Sequence, residues 1–491
     1  MSYKDLRDFL RVVDAHGELK RLNGVDWNLE MGSIAELVYH QGKAPQPVLL
    51  FDEIPGYPKE YSCLFGLLSS LRRIAIALGL PDDQIERKAI LQNWRKKSKI
   101  SALVPAKFVT SVPVDTHVVT GDKVDLMKFP SPKFHELDGG RYLGTGHAVI
   151  QKDPDTGYVN LGVYRVMLVD RNRLAIHILE GQQGSLIMNE KYFNQGKAMP
   201  IAIAIGIDPA LWFAAAKRVP WQTSEYDYAG MIKGEPIEVF TGPYTGLPLP
   251  ANAEIVIEGE CRPGDLIDEG PFAESCGYYA NLGLEPVPEP VIQVSAIHYR
   301  DNPILTCAIP SVPPSDYTLL SAFTYSATLW DMLESAGILG IKDVWCPEVG
   351  HGNMLQVVSI EQKYAGHSTE VGVIASQFRL GGLCKYTVVV DDDIDPSDMN
   401  QVIWAIETRT DPARSIQIIE HCHSTSRDTA ISPEEKRKYK VAPKPLYASK
   451  CIIDACQPFE WKNEWYPVAI SSPELRNKIL DKYGEVIKEL L

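Results

Sequence analysis

The segment DEGPFAESCGYYAN, residues 268–281, carries side chains suited to acid–base chemistry. Glu269 and Glu274 stand five residues apart around a Gly-Pro-Phe break. Gly270 and Pro271 interrupt a helix, so the two carboxylates are not neighbours on one helical face. In a strand-rich region such a break often marks a bulge or corner that re-aims side chains. The segment is either a solvated, charged loop or a pair of catalytic acids.

Two other segments place polar groups among apolar ones. In YVNLGVYRVMLV, Asn160 and Arg165 lie within a predicted core strand. A buried arginine requires a carboxylate or phosphate partner, because an unpaired buried charge is very costly. In WQTSEYDYAGMIKG, Glu225 and Asp227 begin a predicted short helix. Taken alone, each of these features is more often structural than functional.

Three further motifs are weak. GTGHAV, at residues 144–149, lacks the third glycine and the following helix of a dinucleotide loop. His421 and His423 flank Cys422, but no second ligand pair stands at zinc-site spacing. The acidic run DDDID, at residues 391–395, is typical of a strand that ends in a solvated loop. We assign none of them a ligand.

Length and composition narrow the class of protein. A chain of 491 residues predicts two or three domains. The net charge of −14 argues against a nucleic-acid partner, which requires clustered Lys and Arg. No apolar run has the length of a membrane span, and MSYKDLRDFL lacks a signal-peptide pattern. Nine scattered cysteines without a C-x-x-C pair indicate reduced thiols. We expect a cytoplasmic protein with neither nucleic acid nor membrane as partner.

The order of predicted elements indicates an α/β (α+β) chain. Helices alternate with strands at first, short strands with Gly and Pro turns dominate the middle, and β-α-β-α alternation returns near the end. Ser472, Pro473 and a following apolar stripe predict a terminal amphipathic helix that packs on another subunit or domain. The predicted units are a mixed α/β domain (1–108), a β-rich barrel or sandwich (109–312), a linker helix (313–336), an α/β domain (337–460) and a tail helix (461–491).

These separated motifs together resemble those of the UbiD family of decarboxylases, which use prenylated flavin mononucleotide (prenylated FMN). NLGVYR resembles the family's flavin-binding strand, SEYDYAG its acidic metal-ligand segment, and EGPFAE followed by GYY its acid segment. The downstream DDDID and VIWAIETRTDPAR also match the family pattern, so the resemblance covers roughly residues 5–450. The resemblance implies a central split-barrel domain that binds the flavin and a C-terminal α/β domain that mediates oligomerisation.

The resemblance also implies roles for individual residues. Arg165 orients the substrate carboxylate, Glu269 pairs with Arg165, and Glu274 returns the proton to carbon. A carboxylate beside an arginine stays ionised, whereas one in an apolar pocket holds a proton, and Phe272 would supply the apolar wall. His177 to Leu179 are expected on the strand that runs along the flavin. The implied cofactor-binding residues are Asn160, Gly162, Val163, Tyr164, Arg165, His177, Ile178, Leu179, Gln182, Gln183, Glu225 and Arg379.

The implied metal site departs from the family pattern. Many relatives carry a histidine ligand where EGQQGS offers Gln183. The implied ligands are then Asn160, Gln183 and Glu225 with the flavin phosphate. An all-oxygen set of this kind suits Mn²⁺ or Mg²⁺, and K⁺ is a further candidate ion.

The resulting hypothesis is reversible, non-oxidative decarboxylation of an aromatic (phenolic or heteroaromatic) or conjugated carboxylic acid. The resemblance implies a cofactor supplied by a flavin prenyltransferase, and a homodimer or homohexamer. A glycosidase could use two carboxylates ~5–9 Å apart, but this reading does not account for Arg165. A flavin-binding subunit or scaffold without chemistry is the other alternative, and Gln183 keeps it open. The sequence does not identify the acid.

Overall fold

Four sheets organise the part of the chain that the structure describes. The structure is a computed structural model. It covers residues 3–83, 85–217, 219–378, 383–441 and 446–487. In chain order these sheets have four, nine, three and five strands. The mixed α/β fold expected from the sequence is confirmed.

The N-terminal region shows how the sequence pattern becomes structure. The first helix, α1 (Leu6–Ala15), begins after Asp5, whose side chain accepts a hydrogen bond from the backbone N–H of Asp8. Gly17, with a φ of +72°, follows the end of the helix. Four apolar residues at helical spacing are buried, namely Leu6, Phe9, Leu10 and Val13.

The remaining N-terminal elements surround a small sheet. Its strands β1 and β2 run parallel, and β2 and β3 run antiparallel. The strands are β1 (Leu19–Asn23), β2 (Val48–Asp52) and β3 (Ser62–Phe65), and the helices are α2 (Glu30–Gln41), α3 (Leu71–Ala77) and α4 (Arg87–Ile100).

The central region forms the nine-stranded sheet and the three-stranded sheet. Its strands are β4 (Lys107–Phe108), β5 (His117–Thr120), β6 (Arg141–Gly144), β7 (His147–Lys152), β8 (Val159–Gly162), β9 (Val166–Leu168), β10 (Arg173–Ile176), β11 (Met199–Ile205), β12 (Glu238–Thr241), β13 (Pro248–Pro250), β14 (Ile255–Glu269), β15 (Val287–Tyr299) and β16 (Ile304–Thr306). The strand order of the larger sheet is β6-β9-β10-β15-β14-β11-β7-β8, with β5 on β15. β9 and β10 form an antiparallel hairpin around residues 170–173.

The connection from β8 to β9 shows that the large sheet is strongly curved. β8 lies at one end of the strand order and β9 lies next to the other end. Only residues 163–165 join them, and a chain of this length spans at most ~14 Å. The two ends of the sheet therefore approach each other, as in a barrel that is split on one side. The predicted split barrel is confirmed.

Two expectations about this region are wrong in detail, and two strand pairs cross the edges of the predicted central unit. Arg165 does not lie within a core strand, because the strand predicted around it is broken between β8 and β9. His177 to Leu179 follow the end of β10 instead of lying on it. At the edges of the predicted central unit, β16 pairs with β3 and β4 pairs with β12. Each difference arises from long-range strand pairing, which local periodicity does not encode.

The helices of the central region begin at residues that are typical of helix N-termini. The helix α6 (Pro209–Ala216) begins with Asp208 as N-cap and proline at its first position. The helix α7 (Glu225–Lys233) begins after Ser224, whose side chain accepts from the Tyr226 N–H. Glu225 and Asp227 do begin this helix, as predicted. A short helix, α5 (Gln183–Leu186), precedes a π-helical turn at Ile187–Tyr192.

A long helix connects the barrel to the C-terminal sheet. This helix, α8 (Thr318–Ser335), is the predicted linker. The sheet that follows has the order β17-β18-β19-β21-β20. Its elements are β17 (Ile341–Trp345), β18 (Leu355–Ile360), α9 (His367–Ser376), β19 (Tyr386–Asp391), α10 (Met399–Arg409), α11 (Pro412–Ser415), β20 (Ile416–His423), α12 (Pro433–Val441) and β21 (Tyr447–Ala455).

The tail ends in α13 (Pro473–Ile487), which has no buried residue. Ser472 accepts a hydrogen bond from the Leu475 N–H at 3.2 Å, as expected of an N-cap. No helix among the residues described has the length and apolarity needed to cross a membrane. All nine cysteines lie in the described ranges, and all are free thiols.

Candidate active site

Arg165 lies where the two ends of the curved sheet approach each other, between β8 and β9. Its Nε donates to Oε1 of Glu269 at 2.9 Å, and its Nη2 donates to Oε2 of Glu269 at 2.8 Å. This is a bidentate, charge-assisted contact. Tyr142 donates its hydroxyl to the same Oε1 at 2.9 Å. Glu269 is fully buried at the end of β14, so the arginine has the partner that its burial requires.

The electrostatics follow from this contact. Burial acts to raise the pKa of Glu269, but the charge and hydrogen bonds of Arg165 outweigh burial and lower it. Burial acts to lower the pKa of Arg165, and the charges of Glu274 and Glu269 raise it above its ordinary value. The pKa of Tyr142 is raised by burial and then by the negative charge of Glu269. Arg165 and Glu269 are therefore a fixed ion pair, and Tyr142 stays a hydrogen-bond donor.

Glu274 also binds Arg165, which differs from the expected division of roles. Nη1 of Arg165 donates to Oε1 of Glu274 at 2.6 Å. Glu269 pairs with Arg165, and the same guanidinium also contacts Glu274. The physical reason is that a guanidinium has five N–H donors. Nε and Nη2 of Arg165 donate to Glu269. Nη1 remains available, and in this poorly solvated site it donates to the carboxylate of Glu274.

Phe272 packs beside the guanidinium. The Cζ atom of Arg165 lies 5.2 Å from the centre of the Phe272 ring, and that ring lies 4.0 Å from the Tyr142 ring centre. These contacts exclude water from one side of the fork and add a cation–π attraction. Phe272 therefore provides an apolar wall beside the guanidinium of Arg165.

The acid segment is held by its backbone. The Glu274 N–H donates to the carbonyl of Tyr278 at 2.9 Å, and the Gly277 N–H donates to the carbonyl of Glu274 at 2.9 Å. Gly139 donates its N–H to the carbonyl of Pro271 at 2.7 Å. A Cβ on Gly139 would collide with the Gly270 carbonyl, so only glycine allows this approach. The corner predicted from Gly270 and Pro271 is thus fixed against a neighbouring loop.

A cavity of about 980 Å³ opens beside Arg165. It lies at the upper end of the usual size of ligand sites, with room for a cofactor and a small acid. Most of the predicted site residues line it: Asn160, Gly162, Val163, Tyr164, Arg165, His177, Leu179, Gln182, Gln183, Glu225 and Glu274. Glu269 and Ile178 are buried behind this lining. Arg379 lies outside the described residues.

The three implied metal ligands line the cavity, and their contacts fit a hard cation. Glu225 is 3% exposed and accepts one hydrogen bond, from the Leu161 N–H at 2.7 Å. No basic side chain of the described ranges forms an ion pair with it, and burial raises its pKa to about 8. Tyr158 donates to Oε1 of Gln183 at 2.7 Å, which leaves that oxygen a second lone pair. A buried carboxylate with amide oxygens nearby suits a cation with oxygen ligands.

His177 lines the cavity and pairs with a carboxylate. Its Nδ1 lies 2.7 Å from Oε1 of Glu289, so Nδ1 carries the proton that the carboxylate accepts. Its Nε2 is buried without a partner among the described residues.

Sequence reasoning missed several residues that line the cavity. Lys217 follows α6 and donates to the Tyr228 hydroxyl at 2.6 Å, and burial lowers its pKa to about 8. A lysine directly after the apolar run ALWFAAA was a usable signal. His351 and Asn353 lie in a glycine-rich turn, GHGN, and Arg427 follows β20. Nothing in the local sequence indicates that Arg427 reaches the cavity.

Three family models match successive parts of the chain. They describe the N-terminal, the Rift-related and the C-terminal domain of the 3-octaprenyl-4-hydroxybenzoate carboxy-lyase UbiD. The matched residues are 10–90, 107–313 and 318–455, respectively.

Proteins of known activity are similar over most of the chain. A pyrrole-2-carboxylic acid decarboxylase of Pseudomonas aeruginosa is 34% identical over 434 residues, which are 84% of each chain. The vanillic acid decarboxylase of Sedimentibacter hydroxybenzoicus, in open form, has a TM-score of 0.83 at 27% identity, covering 99% of this chain and 100% of that one.

A third relative is known with a flavin bound. The enzyme HmfF of Pelotomaculum thermopropionicum, in complex with FMN, has a TM-score of 0.84 at 28% identity, covering 98% of this chain and 100% of that one. An evolved dimeric form of HmfF, in complex with prFMN, has a TM-score of 0.81 at 27% identity, covering 98% and 99%. With all three domain models matched in order, the chain belongs to the UbiD family of carboxy-lyases.

Proposed function

We propose that the protein catalyses reversible, non-oxidative decarboxylation of an aromatic (phenolic or heteroaromatic) or conjugated carboxylic acid with prenylated FMN. The observation that carries this proposal is the Arg165 fork, which binds Glu269 and Glu274 at the wall of a cavity large enough for a flavin and a substrate. The FMN and prFMN bound by HmfF, and the decarboxylases among the relatives, support it.

The lining residues provide the contacts that a flavin nucleotide needs. When bound, prenylated FMN supplies the electron sink that no side chain offers for a departing carboxylate. Val163, Tyr164 and His177 line the cavity beside Arg165. Asn160, Gln183 and Glu225 would hold the phosphate end through a divalent cation. The proposed cofactor-binding residues are Asn160, Gly162, Val163, Tyr164, Arg165, His177, Ile178, Leu179, Gln182, Gln183, Glu225 and Arg379.

Arg165 and Glu274 would perform the protein's share of the reaction. Arg165 orients the substrate carboxylate by charge-assisted hydrogen bonds, while Glu269 and Tyr142 hold its fork in place. When the substrate carboxylate joins Glu269 and Glu274 beside the guanidinium of Arg165, the added negative charge favours protonation of one of these groups. Glu274, held by a single contact to Nη1, is placed to take that proton and deliver it to carbon.

Expression with and without a flavin prenyltransferase tests the function. We expect a modified flavin spectrum and carbon dioxide release from aromatic acids only in the co-expressed protein. Ordinary FMN bound in both preparations, with no release from a broad panel of acids, would instead indicate a flavin-binding subunit without chemistry.

The proposed cation site has its own test. Asn160, Gln183 and Glu225 contribute one formal negative charge, so much of the attraction must come from the flavin phosphate. We expect Mn²⁺ to bind weakly to the apoprotein and more tightly to the FMN-loaded protein in calorimetric titrations. Glu225→Gln should abolish this difference in Mn²⁺ affinity. Glu235→Gln, at an exposed residue just after α7, should preserve it. Equal affinity in both forms would place the metal elsewhere.

A further inference from the structure

The acid segment belongs to a long connection that has neither helix nor strand. Residues 270–286 join β14 to β15, and Glu274 lies within them. Connections of this length without regular structure are uncommon in compact proteins and often serve a site. Such a connection keeps Glu274 beside Arg165 only if contacts from neighbouring elements fix it, because an unrestrained backbone has high conformational entropy. The contacts that fix this connection therefore bear on proton delivery.

On one side, the connection is held by a loop of the central region. The Gly139 N–H donates to the carbonyl of Pro271 at 2.7 Å. The hydroxyl of Tyr279 donates to Oδ1 of Asp138, a buried residue, at 2.9 Å. These two hydrogen bonds anchor the connection to the barrel on either side of Glu274.

On the other side, the connection is held by α12 of the C-terminal region. Nζ of Lys436 donates to the carbonyl of Ala280 at 2.6 Å, and these residues are 5% and 7% exposed. The next residue of α12, Arg437, pairs with Glu285 at 2.5 Å, but both side chains of that pair are half exposed. An exposed ion pair contributes little, whereas a charge-assisted hydrogen bond shielded from water is stronger. Lys436 is therefore the main anchor on this side.

The turn of α12 that carries Lys436 is itself fixed. The Ser432 hydroxyl accepts from the Glu435 N–H at 3.2 Å, and the Glu435 carboxylate accepts from the Ser432 N–H at 3.2 Å. This reciprocal pair is a capping box. The Lys436 N–H donates to the carbonyl of Ser432 at 3.1 Å. The ammonium of Lys436 thus extends from a backbone that is held at the start of the helix.

The ammonium of Lys436 has no carboxylate of its own. Burial lowers the pKa of Lys436, and the charges of Asp428 and Glu274 act in the opposite direction. Asp428, however, pairs with Lys385 at 2.5 Å. Among the described residues, no carboxylate lies within ion-pair distance of Lys436. A buried ammonium without a carboxylate is costly, so stability alone does not account for a lysine at this position.

A closed turn links the anchored residue to the proton donor. The Glu274 N–H donates to the carbonyl of Tyr278 at 2.9 Å, and the Gly277 N–H donates to the carbonyl of Glu274 at 2.9 Å. Since this turn ends two residues before Ala280, a displacement of Ala280 moves the turn as a unit. A displacement of ~1 Å at a reacting group can lower a rate by ~10²-fold.

We propose that Lys436 is a positioning residue for Glu274. By binding the Ala280 carbonyl, Lys436 holds the acid segment at the distance from Arg165 at which Glu274 can deliver its proton. The C-terminal region thereby controls proton delivery without contacting the substrate, since the described residues that line the cavity do not include Lys436. This inference rests on the proposed role of Glu274 in decarboxylation.

Hydrogen–deuterium exchange of the FMN-loaded protein tests the anchor without requiring turnover. Lys436→Met keeps the length and apolar stem of the side chain but removes the donor. We expect amide exchange in residues 274–281 to accelerate by ~10-fold and exchange in β14 to stay at the parental rate. Arg437→Met is the matched control and should leave both unchanged. Parental exchange of residues 274–281 in Lys436→Met overturns the proposal. Faster exchange throughout β14 and β15 also overturns it, because Lys436 would then stabilise the whole sheet.

Steady-state kinetics of carbon dioxide release test whether the anchor affects the reaction. We expect Lys436→Met to lower kcat by ~10-fold or more, with KM and FMN affinity at parental values because Arg165 and the cavity lining are untouched. Lys436→Arg keeps a charged donor and should restore most of kcat. An unchanged kcat in Lys436→Met, or an equal loss in both variants, overturns the proposal.

A double variant separates positioning from a general structural role. If Lys436 acts through Glu274, adding Lys436→Met to Glu274→Gln should lower kcat no further, since the group that it positions is already lost. The same fold-loss in the Glu274→Gln protein as in the parent protein overturns the proposal.

The proposed function and this inference can fail separately. Absence of carbon dioxide release from the parent protein rejects the proposed chemistry, while hydrogen exchange still decides whether Lys436 holds the acid segment. Carbon dioxide release at the parental kcat in Lys436→Met supports the chemistry and rejects the positioning role.

Discussion

At the scale of single residues, the site depends on how one guanidinium is shared. Nε and Nη2 of Arg165 donate hydrogen bonds to Glu269, and Nη1 donates one to Glu274. The two acids differ in their surroundings, since Glu269 is fully buried and also accepts from Tyr142, whereas the side chain of Glu274 is 12% exposed at the cavity. Glu269, which is fixed and buried, and Glu274, which is less constrained and reaches the cavity, can therefore perform different tasks.

Replacing Arg165 should abolish decarboxylation. Arg165→Lys keeps a positive charge but cannot reproduce the bidentate contact, so we expect carbon dioxide release to fall by at least ~10²-fold. Arg165→Ala should also lower stability by ~3–5 kcal/mol, because Glu269 stays buried without its partner. Carbon dioxide release and urea denaturation measure the two effects. Arg173→Lys, in an exposed pair with Asp170, is the control. Parental activity in Arg165→Lys would reject the role of the fork.

Glu274→Gln separates proton delivery from binding. Glutamine keeps the shape of the side chain and can still accept from Arg165, but it cannot deliver a proton. We expect turnover to fall by ~10²–10⁴-fold with FMN affinity unchanged. The control Glu285→Gln removes an exposed acid paired with Arg437 and should leave turnover intact. If Glu274→Gln turned over at nearly the parental rate, another group would have to be the acid.

At the scale of elements, the sequence predicted those features that depend on local pattern. The start of α7 at Glu225, the β9–β10 hairpin, the linker α8 and the Ser472 cap could all be read from periodicity and capping residues. The break at Val163 to Arg165 could not, because it results from β8 and β9 joining opposite ends of one curved sheet.

Local sequence pattern likewise predicts only part of the candidate active site. The acid segment and Arg165 could be identified from motifs that resemble a family, but the contact between Arg165 and Glu274 depends on side-chain geometry. Arg427 reaches the cavity through the packing of the C-terminal region against the segment that follows Glu274. No short-range pattern encodes such a contact, since residues far apart in sequence meet only after the sheets have formed.

One ion-pair network makes the stability of the barrel depend on pH. His298 on β15 lies between Glu258 on β14, at 3.0 Å, and Asp115, at 2.7 Å. Burial acts to lower the pKa of His298, but hydrogen bonds to Glu258 and Asp115 outweigh it and raise it. A raised pKa stabilises the fold below the unfolded value near 6.5, and that stabilisation is lost as pH rises through the folded pKa.

His298→Gln should therefore destabilise the protein more at pH 6 than at pH 9. Hydrogen bonds to a charged group suggest a difference of about 2 kcal/mol. Urea denaturation at the two pH values measures it. The control His117→Gln removes an exposed histidine beside Asp301, and its effect should be small at both pH values. An equal loss at pH 6 and pH 9 would show that His298 is not charged in the folded protein.

At the scale of the whole molecule, residues of the N-terminal, central and C-terminal regions line one cavity. Ser98 and Lys99 of α4, the barrel residues, one face of α8 and the turn at His351 all line it. The tail instead presents apolar side chains to solvent. Those between 40% and 80% exposed are Trp461, Tyr466, Val468, Ile470, Leu475, Ile479, Leu480, Tyr483 and Val486. Large exposed apolar side chains concentrated in one segment are typical of a protein–protein interface.

We predict that the tail helix α13 packs on a second copy of the chain. Burial of apolar surface stabilises by ~25 cal/mol per Å², so removing the stripe should weaken self-association strongly. Ile479→Lys with Tyr483→Lys, or deletion of residues 470–491, should lower the mass measured by light scattering toward 54.7 kDa, the mass of one chain. The deletion spares Lys462, which binds Asp391 at 2.7 Å. Leu339→Lys, at a residue 67% exposed outside the tail, should leave the mass unchanged. An oligomer of unaltered mass in both tail variants would place the interface on another surface.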